Sequence, residues 1–273
     1  MHNQHLFHHF NIYLNKVFKT NVKIKFVYEL PWRMSPPLCG VIGIVHRSRP
    51  VAPLIVDSLK RLEYRGYDSV GVATLHNGNI FIEKDKGRID EVDAKLNLKG
   101  LPGLIGIGHT RWATHGAPSK ENAHPHVDCR GILVLAHNGI IENFLELRDS
   151  LSRGHRFSSE TDTEVVLHLV EEFSKEEEDI LAAFKKAIRM LEGTYAIVAL
   201  SPLLPNELLC ARSGSPLLIG LDDYAIYCAS DATAFLPFTN KAIVLEDGCI
   251  AIAGKGALLV ERISDEAIVK PRI

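Results

Sequence analysis

A series of short apolar runs separated by turn residues constrains the fold most strongly. From Gly193 onward the runs occupy 195–200, 207–211, 217–219, 225–229, 243–245 and 257–260. Two earlier runs, 69–75 and 80–83, flank Asn77-Gly78, a dipeptide typical of a two-residue hairpin turn. Because hairpins join antiparallel strands, and because no regular alternation of strands with helices is present, this pattern predicts an α+β fold with antiparallel sheets.

Four other segments have the apolar spacing of amphipathic helices. They are 50–62, 142–152, 161–173 and 180–191. For the third segment we predict an N-terminal cap at Ser159 or Thr161, because acidic side chains follow three residues later. The remaining apolar runs, which predict buried strands, are 39–45, 104–108 and 132–136.

The composition is that of a globular protein, since 46% of the 273 residues are hydrophobic and 23% are charged. The 31 basic and 33 acidic residues leave no overall basic field, which argues against nucleic acid as a partner. No apolar run reaches the roughly 18 to 20 residues that a membrane span needs, and none resembles a secretory signal. We therefore expect a cytoplasmic protein with no membrane partner. The five cysteines are irregularly spaced and indicate neither a disulfide framework nor a zinc ribbon.

The first 38 residues differ in composition from the rest of the chain. They carry five basic residues but one acid, and they contain four histidines, at positions 2, 5, 8 and 9. A metal site at this histidine cluster and an organellar presequence are alternatives, but neither has the accompanying residues that it needs. We expect residues 1–38 to form a leader that is disordered or not native, and residues 39–273 to form one domain.

Two short segments have the residue types of a nucleophilic site. Cys39 is a candidate nucleophile if it becomes the mature N-terminus, because its own α-amine can then take the thiol proton. The Asn138 amide and the backbone N–H of the adjacent Gly139 are suited to stabilising a developing oxyanion. The structural alternatives are a buried strand cysteine and a type I′ turn, respectively.

Two further segments contain charged side chains suited to an amino-acid substrate. The guanidinium of Arg111 can hold a carboxylate, with Thr114 and His115 following at three and four residues. Asp162 lies near a predicted helix start and can hold an ammonium group. A metal site formed by histidines 115, 124 and 126 is an alternative, although no acidic ligand lies nearby.

Taken together, these residues closely resemble the glutaminase domain of the glutamine–fructose-6-phosphate aminotransferases, also called glucosamine-6-phosphate synthases. The resemblance covers residues 39–273 and rests on six ordered motifs, at 39–43, 62–69, 109–116, 137–143, 159–164 and 211–217. It implies an N-terminal-nucleophile hydrolase fold, an αββα four-layer sandwich of two antiparallel sheets between helices. It also implies glutamine as the substrate and a reaction that needs no metal or organic cofactor.

The resemblance assigns expected roles residue by residue. It makes Cys39 the nucleophile, with Asn138 and Gly139 forming the oxyanion hole. Arg65 matches a family position near the nucleophile, and Trp112 matches one in the loop that closes over glutamine.

The expected substrate grip consists of four side chains. Arg111, Thr114, His115 and Asp162 hold the α-carboxylate and α-amine of glutamine in the family. The expected reaction forms a γ-glutamyl thioester, releases ammonia and ends in hydrolysis to glutamate.

Three competing functions are also compatible with parts of this sequence. The amidophosphoribosyltransferases carry a similar glutaminase domain, but they differ from this chain at 63–69 and 111–114. The second competing function is that of a non-catalytic glutamine-binding module, and the third is that of an inactive truncated remnant.

The chain departs from the family pattern in two ways. The first departure is the leader, because the peptide bond between residues 38 and 39 makes the nitrogen of Cys39 an amide. We therefore expect the chain to be inactive until that bond is broken, or unless translation starts at Leu38. The second is that no sugar-isomerase half follows within these residues, so we expect that half in a separate chain or domain.

Overall fold

The structure is a computed structural model that describes residues 39–113, 116–177, 179–255 and 257–270. The first sheet has seven strands in the order β11-β9-β10-β1-β4-β2-β3. They are β1 (Gly40–His46), β2 (Ser69–His76), β3 (Asn79–Lys86), β4 (Ile105–Arg111), β9 (Leu218–Leu221), β10 (Ala225–Ala229) and β11 (Ala242–Val244).

The second sheet has six strands in the order β13-β12-β8-β7-β6-β5. They are β5 (His126–Val127), β6 (Val134–Ile141), β7 (Gly193–Ser201), β8 (Leu204–Ser213), β12 (Cys249–Gly254) and β13 (Ala257–Arg262). The neighbouring strands of both sheets pair antiparallel, as the hairpin pattern predicts.

Five α-helices lie among the described residues. They are α1 (Ala52–Leu62), α2 (Ile89–Leu96), α3 (Phe144–Leu151), α4 (Thr163–Phe173) and α5 (Ile180–Ile188). None of these helices combines the length and the apolar character needed to cross a lipid bilayer.

Three apolar clusters hold the layers together. One joins the facing sides of the two sheets, the second packs α1 and α2 on the first sheet, and the third packs α3, α4 and α5 on the second sheet. Strand β1 shows the alternation: Val41 and Val45 face the second sheet, whereas Ile42 and Ile44 face the helices. The predicted four-layer αββα sandwich is confirmed.

A glycine of β1 allows a close approach between the two sheets. A Cβ atom on Gly43 would lie 2.6 Å from Cγ1 of Val198, on the second sheet. The two sheets can therefore pack tightly at this point because Gly43 has no side chain.

Local predictions were wrong at the ends of some elements. The predicted strand 132–136 continues as β6 to Ile141, so the turn alternative for Asn138-Gly139 is wrong. Neither Ser159 nor Thr161 caps α4; its N-cap residue is Asp162, which makes no side-chain capping bond. Ser159 instead donates from its backbone and its hydroxyl to Oε2 of Glu164, both at 2.7 Å.

Candidate active site

The candidate site lies at one end of the core between the two sheets, where the side chains that face this core change from apolar to polar. On β4 the row that contains Ile105 and Ile107 continues with His109, which pairs opposite Val41. On β6 the row that contains Val134 and Ala136 continues with Asn138. Because side chains two residues apart share a face of a strand, both sheets deliver polar groups to the same end of the core.

Cys39 immediately precedes β1, a central strand of the first sheet. The backbone N–H of Trp112 donates to Sγ of Cys39 at 3.2 Å, and the thiol lies 3.5 Å from the Trp112 carbonyl oxygen. An N–H group aimed at sulfur stabilises the thiolate form. Strand pairing between β1 and β4 produces this contact, because Gly40 pairs with Thr110.

Two side chains hold the carbonyl oxygen of Cys39. Nδ2 of Asn138 donates to it at 2.7 Å, and Nε of Arg65 donates to it at 3.1 Å. Arg65 also lies 3.5 Å from a carboxylate oxygen of Asp231. The structure therefore brings Arg65 against the backbone of the candidate nucleophile.

His109 fixes the orientation of the Asn138 amide. Nε2 of His109 lies 2.9 Å from Oδ1 of Asn138 and 3.1 Å from the carbonyl oxygen of His137. Both partners are acceptors, so Nε2 carries the hydrogen and donates. The amide oxygen of Asn138 consequently faces His109, and its NH₂ group faces Cys39.

Gly139 follows Asn138 in a backbone conformation that requires glycine. Its φ is +130°, and a Cβ atom would lie 2.0 Å from the carbonyl oxygen of Thr194 on the neighbouring strand. This position lets the backbone approach the cavity without a side chain.

A narrow cavity joins Cys39 to charged groups of both signs. Its lining includes Cys39, Arg111, Gly139 and Asp162. Nη2 of Arg111 donates to the Gly116 carbonyl at 3.1 Å, and Oδ2 of Asp162 accepts from the Ile141 amide at 2.8 Å. Both charged side chains are thus held in fixed positions, as binding of a zwitterion requires.

The loop after β4 is described only in part. Thr114 and His115, which the sequence predicts as substrate-binding residues, lie outside the described residues. Before this gap, the Ala113 amide donates to Oδ2 of Asp68 at 2.9 Å, and the Trp112 ring packs edge-on against Tyr67 with centroids 5.7 Å apart.

Comparison with known proteins agrees with this geometry. Residues 109–237 match the family of glutamine amidotransferase domains. A glutamine–fructose-6-phosphate aminotransferase (isomerizing) from Pyrococcus horikoshii is 50% identical over 232 residues, covering 85% of this chain and 39% of the relative. The corresponding protein from Methanothermobacter thermautotrophicus is 50% identical over 216 residues, covering 79% of this chain and 36% of the relative.

This chain contains a glutamine amidotransferase domain. A solved structure of glutamine phosphoribosylpyrophosphate amidotransferase from B. subtilis has the same fold, with a TM-score of 0.74 and 28% identity. The structural match covers 83% of this chain and 50% of the B. subtilis chain. The chain spans less than two fifths of the length of the two aminotransferases, at 39% and 36%.

Burial shifts the pKa values of several groups in the candidate site. It raises the pKa of the Cys39 thiol, although the Trp112 N–H works in the opposite direction. Burial, aided by the Arg111 charge, lowers the pKa of His109 to about 3. The pKa values of His124 and His137, which line the cavity, are also lowered by burial. At neutral pH the thiol is therefore protonated, and these imidazoles are uncharged and weakly basic.

The sequence analysis considered His124 and His126 only as alternative metal ligands, and it missed the hydrogen bonds that join three histidines to two threonines in the lining of the cavity. His124 and His137 both contact Oγ1 of Thr163, at 3.3 and 3.1 Å, and His126 contacts Oγ1 of Thr161 at 3.2 Å. His124 thus contacts a hydroxyl group of the first residue of α4, and His126 contacts one two residues before that helix. For His109 the sequence did contain a usable signal, because the alternating apolar residues Ile105 and Ile107 of β4 are followed on the same face by this polar residue.

Proposed function

We propose that this domain hydrolyses the side-chain amide of glutamine to glutamate and ammonia, with Cys39 as the nucleophile. One observation carries the proposal: Sγ of Cys39 accepts the Trp112 N–H inside a cavity that also contains Arg111 and Asp162. A nucleophile and two opposite charges are the groups needed to bind and attack an amino-acid amide.

In this proposal the charged side chains orient the substrate. Arg111 binds the α-carboxylate of glutamine through its guanidinium, and Asp162 binds the α-ammonium. The family resemblance adds Thr114 and His115 to this grip and gives Trp112 a part in the closing loop.

The reaction begins when sulfur attacks the side-chain amide carbon. The Asn138 NH₂ group and the N–H near Gly139 stabilise the negative charge that develops on the amide oxygen. The α-amine of Cys39 takes the thiol proton and passes it to the departing ammonia. Water then hydrolyses the γ-glutamyl thioester, and no metal or cofactor takes part in these steps.

Use of this amine requires that Cys39 be the first residue. An acylated nitrogen is an amide with no basicity, and burial raises the pKa of the Cys39 thiol, so an internal Cys39 lacks a base. We therefore propose that residues 1–38 are a leader absent from the active form and that residues 39–273 are the glutaminase domain.

The ammonia is proposed to serve glucosamine-6-phosphate synthesis from fructose 6-phosphate, in the cytoplasm. The 50% identity to the aminotransferases, against 28% to the phosphoribosylpyrophosphate amidotransferase, supports this destination. A sugar-isomerase half in another chain or domain completes the reaction. Residues 39–273 alone are expected to release glutamate without forming glucosamine 6-phosphate.

The test compares the full chain, a chain beginning at Cys39, and the latter with Cys39→Ser. Each is incubated with glutamine, and with the electrophilic analogue 6-diazo-5-oxo-L-norleucine followed by peptide mass analysis. We expect glutamate release and alkylation at Cys39 only in the unsubstituted chain that begins there. Cys249→Ser, at a buried cysteine of β12, is the matched control and should retain both properties.

Two outcomes contradict the proposal. Glutamate release by a chain shown to retain residues 1–38 would rule out the α-amine as the base. Glutamine binding without turnover by the chain that begins at Cys39 would support a non-catalytic glutamine-binding module instead.

A further inference from the structure

Outside the catalytic cavity, four metal-ligating side chains meet on the outer side of the second sheet. Cys129 lies in the turn after β5, His155 lies in the loop after α3, and His168 and Glu171 lie one turn apart on α4. One ligand atom from each lies within 4.8 Å of the others. None of the four lines the cavity that contains Cys39.

Three of the six distances among these atoms are close to the edges of a tetrahedral zinc site. Oε2 of Glu171 lies 3.0 Å from Nδ1 of His155 and 3.2 Å from Nδ1 of His168. Sγ of Cys129 lies 3.8 Å from Nδ1 of His168. Zinc–ligand bonds of ordinary length give tetrahedral edges of about 3.3 Å between nitrogen or oxygen ligands and about 3.6 Å between sulfur and nitrogen.

The outer nitrogens of both imidazoles face carboxylates. Nε2 of His155 lies 2.9 Å from Oε2 of Glu172, and Nε2 of His168 lies 3.8 Å from Oε1 of Glu164. His155 thus lies between two carboxylate oxygens. A cation bound at Nδ1 leaves the Nε2–H free to donate outward, which is the usual arrangement around metal-bound histidine.

Burial and access also fit a metal ion. The side chains of His155 and Glu171 are 2% and 4% exposed, and His168 is 1% exposed. Cys129 is exposed and provides a path for entry. The Arg156 amide donates to Sγ of Cys129 at 3.3 Å, which favours the thiolate that a metal needs.

We propose that Cys129, His155, His168 and Glu171 form a structural binding site for Zn²⁺. On binding, the thiol proton leaves to solvent, and so do the Nδ1 hydrogens that His155 and His168 direct at Glu171, so that each imidazole binds the ion through Nδ1 and holds one hydrogen on Nε2. The ion joins the turn after β5 and the loop after α3 to α4, the helix that begins directly after Asp162. The sequence analysis missed this set because its members are 26, 13 and 3 positions apart.

The test uses cobalt as a spectroscopic substitute in the full chain. Metal-free protein is titrated with Co²⁺, and the thiolate-to-cobalt charge-transfer band is recorded. We expect one equivalent of Co²⁺ with this band in the unsubstituted chain, displacement by Zn²⁺, and no band in Cys129→Ser. The leader contains histidines but no cysteine, so metal bound there produces no such band.

Cys249→Ser is the matched control and should keep the band. Zn²⁺ is also expected to raise the melting temperature of the unsubstituted chain and of Cys249→Ser, but to do so less in Cys129→Ser. Circular dichroism shows whether Cys129→Ser is folded, which the exposure of residue 129 favours. A chain that gives no thiolate band, or a band that persists in folded Cys129→Ser, would overturn the proposal without affecting that for glutamine hydrolysis.

Discussion

The orientation of one side-chain amide determines which groups face the candidate nucleophile. The Asn138 NH₂ group points to Cys39 because Nε2 of His109 donates to the opposite side of the amide. His109 is fully buried, and its lowered pKa of about 3 keeps it neutral, with its ring hydrogen directed at two acceptors. His109 is thus a positioning residue for Asn138.

Substitutions at Asn138 and His109 separate the proposed oxyanion role of Asn138 from the positioning role of His109. In a chain beginning at Cys39, Asn138→Ala is expected to lower kcat about 100- to 1,000-fold with little change in KM, because an oxyanion donor is lost. His109→Phe is expected to lower kcat by a smaller factor, and His109→Gln should recover part of the loss through its amide N–H. Steady-state kinetics check both predictions.

The exposed His76 provides the control, as His76→Phe. It should leave kcat and KM unchanged. Equal kcat values in Asn138→Ala and the unsubstituted chain would contradict the oxyanion role, and equal effects of Phe and Gln at position 109 would contradict the positioning role.

Strand β6 shows how one element serves both the core and the site. Its first half supplies Val134 and Ala136 to the apolar layer between the sheets, and the next residue on that face is Asn138. Strand pairing continues through Gly139, which lies opposite Tyr195 of β7. The ladder with β7 therefore holds Asn138 and Gly139, the proposed oxyanion hole, at a fixed depth in the sheet.

Two glycine substitutions test this constraint. Gly139→Ala should lower the free energy of unfolding by about 3 kcal/mol, because a positive φ and a collision with the Thr194 carbonyl act together. Gly78→Ala should cost about 1 kcal/mol, because Gly78 has a φ of +76° but nothing within 4 Å of the added carbon. Urea denaturation measures both values, and equal costs would show that the collision is unimportant.

The sequence predicted most elements because their signals are local. Asn77 and Gly78 both have positive φ between β2 and β3, as the hairpin motif predicts. Asn138-Gly139 carries the same dipeptide but continues a strand, because pairing with β7, more than 50 residues later, overrides the local preference. The predicted cap of α4 was also wrong. Ser159 does not cap the helix, because its amide and its hydroxyl both donate to the side chain of Glu164.

The candidate site was predictable only in part. Family motifs pointed to Cys39, Arg111 and Asp162, and the structure brings them to one cavity. The contacts of His109 with Asn138 depend on the stacking of two sheets, which no spacing within one strand reveals.

At the scale of the whole molecule, the two sheets enclose four histidines near the site. They are His109, His124, His126 and His137, all buried and all with pKa values lowered by that burial. A lowered folded-state pKa means that the unfolded chain binds more protons below about pH 6.5. Their contribution to stability is therefore lost progressively as pH falls below that value.

Acid sensitivity can be assigned to one of these residues. For His109, with its pKa of about 3, the loss between about pH 7 and about pH 5.5 is about 1 kcal/mol. We expect the difference in unfolding free energy between these two pH values to be smaller by that amount in His109→Gln. Urea denaturation at both pH values checks it, with exposed His76→Gln as the control. An unchanged difference in His109→Gln would contradict the burial effect.

The two hydrogen bonds to the Cys39 carbonyl have a consequence for the proposed removal of residues 1–38. Chain ends ordinarily fray, because nothing restrains their first residues. Here Arg65 and Asn138 hold the oxygen on the far side of the α-carbon from the bond that joins residues 38 and 39. Scission of that bond would leave both restraints intact, so the new amine would be generated beside an already anchored sulfur.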